Sequence, residues 1–256
     1  MEELQLELTT VCNSNCVMCP RKKLIRGSGA MSEKDAYSIL DEAIKEGARS
    51  VKLEWFGETL MVPYWDKVAK YAKKKGLRTI LITNGSLLTE HNIVNICKLI
   101  DKVFVSIDSA DKKTYESIRQ GLKFNVVMKG VKNLWEQGKD KIKIFITAVI
   151  TKYNENQVDE IRRVFSNYSH RVIINKDNVN FEWDGKRRRV FCRHRFFDRL
   201  VVGWDKKCYL CCHDWLGEYP IGDLNKESMK EIQERKKSIN LSNLEICQKC
   251  MLSLER

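Results

Sequence analysis

Cys12, Cys16 and Cys19 place three thiols within eight residues of one another. Thiolates are the preferred ligands of iron in iron–sulfur clusters, and a loop this short can wrap three corners of a cubane. No fourth cysteine lies nearby in the sequence, so one iron of such a cluster would stay open to bind something else. Two other readings stand beside this one. A zinc site in this spacing needs a distant fourth ligand to close its tetrahedron, and exposed thiols can have no function at all.

A second group comprises Cys192, Cys208, Cys211, Cys212, Cys247 and Cys250. Cys247-Gln248-Lys249-Cys250 is a two-ligand chelating turn, and two thiolates from the earlier four would close a four-ligand site. Paired Cys-x2-Cys motifs serve zinc as well, so a zinc ribbon is the alternative. The tenth cysteine, Cys97, follows Ile96 in an amphipathic helix pattern and reads as a small core residue. Ten cysteines suit metal binding or catalysis in a reducing compartment better than a disulfide framework.

The elements that must position these thiols alternate between two periods. Leu4, Leu6 and Leu8 alternate with Gln5 and Glu7, which predicts a half-buried strand feeding directly into the first cysteines. A helix follows, opened by Ser32 with Asp35 three residues on and closed by Gly47. Strands are then expected at Val51–Phe56, Leu77–Thr83, Val103–Ile107, Lys143–Ile150 and Val172–Ile174. Helices are expected at Pro63–Lys75, Thr89–Ile100, Phe124–Gln137 and Glu155–Phe165. Six strands with intervening helices imply a parallel sheet of right-handed βαβ units, an α/β partial (βα)6 TIM-like barrel rather than a closed eightfold one. Reactive groups of such barrels collect at the C-terminal ends of the strands. There the sequence places Cys12–Cys19, Gly57-Glu58, Asn84-Gly85, and Ser106 with Asp108. From about Asp177 the rhythm stops, which divides the chain into a barrel over 1–176 and a small cysteine-rich domain over 177–256. A domain of that size is stapled most readily by a metal centre.

Cys-x3-Cys-x2-Cys after the first strand of a (βα)6 chain resembles the radical S-adenosylmethionine superfamily, and further landmarks arrive in the family's order. Gly57-Glu58 matches the Gly-Glu element that receives the methionine amino group. Ser106-Ile107-Asp108 resembles the segment near the ribose and carboxylate, and Arg119 matches an arginine that faces the cofactor carboxylate. Met18 stands where an aromatic residue is common and can pack on adenine. Phe56-Gly57-Glu58-Thr59 departs from the usual Gly-Gly-Glu-Pro while keeping the charge. The resemblance implies a [4Fe–4S] cluster on Cys12, Cys16 and Cys19 whose open iron chelates S-adenosylmethionine. Reductive cleavage would release a 5′-deoxyadenosyl radical that abstracts hydrogen from a substrate.

The C-terminal order resembles the SPASM and twitch extensions of such barrels, which bind an auxiliary [4Fe–4S] cluster. Cys192 is followed by Cys208-Tyr209-Leu210-Cys211-Cys212-His213-Asp214, then Ile221-Gly222-Asp223, then Cys247-x2-Cys250. The resemblance selects Cys192, Cys211, Cys247 and Cys250 as ligands, with Cys208 and Cys212 as rivals, and favours the shorter, single-cluster twitch form. Lys206 stands where the family usually has a turn glycine. The expected role of a closed auxiliary cluster is to accept an electron, giving net oxidation of a small polar molecule or a peptide. An electron donor such as flavodoxin or ferredoxin is expected. Asp214 is a candidate proton acceptor beside His213; its other reading is the cap of a turn.

The chain is 43% hydrophobic and 31% charged, as a globular domain with a core requires. No apolar run approaches the roughly 20 residues of a membrane helix and no secretory leader is visible, so no membrane association and a cytoplasmic location are expected. A net charge of +12 fits a soluble basic surface, an anionic substrate or nucleic acid. The run Lys186-Arg187-Arg188-Arg189 with Arg193 and Arg195 motivates the alternative of an RNA-modifying or nucleic-acid-binding metalloprotein. A structural zinc protein without redox activity is a third reading.

Overall fold

The computed structural model describes residues 1–176, 192 and 196–250. In chain order it contains β1 (Glu3–Leu6), β2 (Asn15–Cys16), α1 (Glu33–Lys45), β3 (Ser50–Leu53), α2 (Trp65–Lys74), β4 (Arg78–Thr83), α3 (Glu90–Leu99), β5 (Lys102–Ser106), α4 (Lys112–Ile118), β6 (Arg119–Gln120), α5 (Phe124–Gly138), β7 (Lys143–Ile150), α6 (Val158–Phe165) and β8 (Arg171–Lys176). Beyond these come β9 (Arg199–Val202), β10 (Lys207–Tyr209), β11 (Pro220–Asp223), α7 (Met229–Lys237) and α8 (Glu245–Gln248).

The strands β1, β3, β4, β5, β7 and β8 pair in parallel in that order, as the alternation of periods predicts. Leu4, Leu6, Val51, Leu53, Leu81, Val103 and Val105 are fully buried in one core with Ala36, Leu40, Val68, Ala72, Ile93 and Ile96 of the helices. The helix signals act as expected: the Ser32 hydroxyl accepts the Asp35 N–H at 3.0 Å, and Gly47 ends the turn after α1 at φ +87°. Among the described residues no helix is long and apolar enough to cross a membrane.

Three features depart from the expected pattern. β3 ends at Leu53, not Phe56, because Trp55 and Phe56 turn away to pack beside the Arg26 guanidinium. The short α4, capped by Asp111 accepting the Thr114 N–H at 2.8 Å, is too brief to show a helical period in the sequence. The βα rhythm stops after β8, yet the sheet does not. β9 pairs in parallel with β1, Glu3 opposite Arg199 and Leu6 opposite Val202, and β10 and β11 extend the sheet antiparallel. The C-terminal segment is thereby hydrogen-bonded to the strand that leads into the first cysteines.

Candidate functional site

The first cysteine loop is stitched to two neighbours. β2 pairs antiparallel with β6, which sets Cys16 opposite Arg119, and the Val17 N–H donates to the Ile118 carbonyl at 2.9 Å. On the other side Asn84 Nδ2, after β4, donates to Asn13 Oδ1 at 2.9 Å, and Asn13 Nδ2 donates to Ser86 Oγ at 2.8 Å. Ser14 Oγ lies 3.3 Å from Cys12 Sγ and 3.4 Å from Cys16 Sγ. Burial pushes the Cys19 thiol up, and the Cys16 and Cys12 sulfurs add to the effect. Like charges brought together in this way are relieved by cations.

Glu58 is buried and caps the turn Thr59–Met61. Its carboxylate accepts the Leu60 N–H at 3.2 Å, the Thr83 hydroxyl at 2.8 Å and the Asn84 N–H at 2.7 Å. Burial nevertheless holds its carboxyl above the ordinary value of 4.5. Gly57 is required by close packing: a Cβ there would overlap the Thr9 carbonyl oxygen and stand 2.7 Å from its carbon.

Arg119 donates through Nε to Asp108 Oδ2 at 2.6 Å and reaches Cys16 Sγ with Nη1 at 3.9 Å. Asp108, fully buried, also accepts the Val149 N–H at 2.8 Å. It therefore aims the arginine and does not itself line the cavity. That cavity, about 830 Å³, is lined by Cys12, Cys16, Cys19, Met18, Gly57, Glu58, Ser106 and Arg119. Its outer wall carries Trp55, Asn175, His213 and Trp215, and Lys22 and Lys23 stand at one side. The volume is toward the upper end for small-molecule sites.

At the second cysteine group, Cys192, Cys211 and Cys247 pack on a small apolar cluster of Phe196, Leu210 and Leu241. The Cys247 thiol is pushed to about 12 by burial and by the Cys250 and Cys192 sulfurs; burial, with Cys212, Cys247 and Cys250 nearby, raises Cys211 as well. The rivals make different contacts. Cys208 sits in the main apolar core together with Met229 and Ile232 of α7. Cys212 turns toward the barrel, its sulfur accepting from Arg199 Nη1 at 3.5 Å and its carbonyl from Trp55 Nε1 at 3.1 Å. Among the described residues no three His, Cys, Asp or Glu side chains are arranged to hold a single metal ion. An iron–sulfur cubane takes one thiolate at each of its irons. The three thiols of the first loop and those of Cys192, Cys211, Cys247 and Cys250 are of the donor type that such a cubane takes.

Asp214 answers to its second description. Its two carboxylate oxygens accept the Glu218 and Tyr219 N–H groups, each at 2.9 Å, so it caps the following turn and does not line the cavity. His213 does line it, and burial with the Arg199 charge holds the imidazole below its ordinary value. Lys206 adopts φ +64°, the left-handed conformation that a glycine takes without strain. The basic run 186–189 with Arg193 and Arg195 lies outside the described residues.

Sequence reasoning missed a buried ion pair beneath this site. Arg26 clasps Glu7 through both guanidinium nitrogens, Nη2 to Oε1 at 2.7 Å. Its guanidinium carbon lies 4.3 Å from the Trp55 ring centre and 5.3 Å from that of Tyr209. Glu7 also accepts the Phe56 N–H at 3.3 Å and the Trp204 N–H at 3.2 Å. The pair thus ties β1, the loop after Cys19, the loop before Gly57 and the C-terminal strands together. The only sequence signal was an acidic residue alternating with leucines, which solvent exposure would equally explain.

A family model of the radical SAM superfamily matches residues 6–165. The chain belongs to the radical SAM superfamily. A second model, the SPASM iron–sulfur cluster-binding domain, matches residues 192–251. The cofactors of this radical SAM protein are accordingly [4Fe–4S] clusters and S-adenosylmethionine. It is 31% identical over 175 residues to the tungsten-containing aldehyde ferredoxin oxidoreductase cofactor-modifying protein of Pyrococcus furiosus, across 65% of this chain and 49% of that one. It spans 49% and 59% of the length of the curated relatives it matches. Its fold is that of anSMEcpe with bound AdoMet, at TM-score 0.72 and 19% identity over 98% of this chain and 86% of that one. It is likewise that of BtrN in complex with AdoMet and 2-DOIA, at TM-score 0.63 and 16% identity over 98% and 93%.

Proposed function

We propose that this protein uses S-adenosylmethionine for radical oxidation or modification of a peptide or small polar molecule. The observation that carries the reading is convergence. The three-cysteine loop, Glu58 from the end of β3, Ser106 from the end of β5 and Arg119 after α4 line one cavity. Cys12, Cys16 and Cys19 would hold the first cluster, and Cys192, Cys211, Cys247 and Cys250 the second. When bound, these groups supply reductive cleavage of a sulfonium to a 5′-deoxyadenosyl radical at the first site and an electron acceptor at the second.

The chain's own residues bind, orient and exclude water. Glu58 offers a fixed carboxylate to an ammonium, and Arg119, aimed by Asp108, offers a guanidinium to a carboxylate. Met18 gives an apolar surface for adenine. Trp55, His213 and Trp215 wall the cavity from the C-terminal side, which shields a reactive species from solvent. Two classes of ligand among the structural relatives support the substrate reading: the Cp18Cys peptide bound to anSMEcpe and 2-DOIA bound to BtrN. We take 1–176 as the barrel and 177–256 as the auxiliary domain, supported by the separate matches over 6–165 and 192–251.

The test is chemical. Anaerobically purified protein is expected to contain about eight irons per chain and to absorb at about 400 nm. With dithionite and S-adenosylmethionine it should form 5′-deoxyadenosine, and Cys16→Ala should not. Zinc in place of iron would overturn the proposal.

A further inference from the structure

Lys236 lies on the inner face of α7 with 4% of its surface exposed. Its Nζ donates to the Arg199 carbonyl oxygen and stands 4.4 Å from the centre of the Phe196 ring. Phe196 belongs to the small apolar cluster on which Cys192, Cys211 and Cys247 pack. Lys236 thus shares the Phe196 ring with the packing of Cys192, Cys211 and Cys247. Arg199 in turn pairs with Glu3 through Nε at 2.6 Å. Among the described residues no carboxylate pairs with Lys236.

A carbonyl and an aromatic face solvate an ammonium but do not neutralise it. A buried charge is retained where an opposite charge compensates it. The potential anions that share the Phe196 cluster with it are the thiolates of Cys192, Cys211 and Cys247. A cubane with four thiolate ligands is net negative in both oxidation states and more so when reduced, so a nearby fixed cation favours the reduced form. We propose that Lys236 is the counter-charge of the auxiliary cluster and raises its reduction potential, equipping it to accept an electron. This rests on the auxiliary-cluster reading given above. On this assignment α7 acts as part of the redox site, contributing one fixed positive charge to it.

The test isolates the auxiliary site in full-length protein carrying Cys12→Ala, Cys16→Ala and Cys19→Ala together. About four irons per chain are expected to remain; none would refute the auxiliary-cluster reading itself, before Lys236 is touched. In that background Lys236→Met should lower the midpoint potential measured by redox titration with EPR detection. Lys236→Arg should keep it near the parent value, and Lys237→Met, which removes an exposed charge one residue away, should not move it. An unchanged potential in Lys236→Met with full iron content would overturn the proposal. Should Lys236→Met lose the cluster, Lys236→Gln carries the same comparison. Loss from both neutral variants with retention in Lys236→Arg supports the need for charge, and loss from Lys236→Arg as well overturns it.

Discussion

Gly57→Ala probes the join between the cysteine loop and the buried Glu58 carboxylate. The added Cβ would stand 2.7 Å from the Thr9 carbonyl carbon and 2.9 Å from Thr9 Cγ2, and it overlaps the Thr9 oxygen. Carbon atoms in good contact are about 3.5–4.0 Å apart, so one side must retreat by about 1 Å. Neither side is free to do so. Thr9 Oγ1 donates to the Gly29 carbonyl at 2.9 Å and accepts the Val11 N–H at 2.9 Å, and the Glu58 N–H donates to the Val11 carbonyl at 2.9 Å. Overpacking of this kind costs about 1–3 kcal/mol. At about 2–4 °C per kcal/mol for a chain of this size, the melting midpoint should fall by roughly 2–12 °C. A shift of about 1 Å at a reacting centre can lower turnover on the order of 100-fold. The assay is 5′-deoxyadenosine formed per iron-loaded chain, beside a thermal melt. Gly76→Ala is the control: at φ +86° with open space around its Cβ, it should cost about 1 kcal/mol and leave turnover intact. A Gly57→Ala protein with parental melting and turnover would refute the close-packing reasoning.

Other expectations follow from the same geometry. Alanine at Cys192, Cys211, Cys247 or Cys250 should remove about four irons per chain, whereas alanine at Cys208 or Cys212 should leave the iron count intact; chemical iron and sulfide assays decide. Arg26→Met leaves the buried Glu7 carboxylate unpaired and should cost about 3–5 kcal/mol in urea unfolding, with a wild-type value refuting the clasp. Asp214→Asn weakens the turn cap by about 1–2 kcal/mol yet should keep turnover per folded, iron-loaded chain, since a catalytic Asp214 would show the opposite pattern. Burial raises Glu58 above 4.5, so between that value and its folded value the native chain binds more protons than the unfolded one. Stability is therefore expected to decline as pH rises through that window, and Glu58→Gln should flatten the slope of urea midpoints against pH.

Local chemistry was legible in the residues alone. Three thiols in eight residues suit a cluster with one open iron or a zinc site with a distant fourth ligand, and alternating strand and helix periods dictate a parallel barrel because apolar faces must be buried. The helix limits marked by Ser32 and Gly47 were likewise readable, since caps and left-handed turns depend on neighbours a few residues away. Lys206 at φ +64° occupies the position where the family resemblance implies a turn glycine.

Only the tertiary structure decided which distant groups meet. Cys211 packs on the Phe196 cluster with Cys192 and Cys247, Cys208 lies in the main core and the Cys212 sulfur accepts from Arg199, a separation that the sequence does not carry. Asp214 as a cap, Asp108 as the residue that aims Arg119, and the Glu7–Arg26 clasp depend on contacts across loops. The pairing of β9 with β1 does too: strand pairing joins segments nearly 200 residues apart through backbone groups that carry no side-chain signature. Residue types and spacing set the chemistry available; long-range packing set which of it shares one cavity.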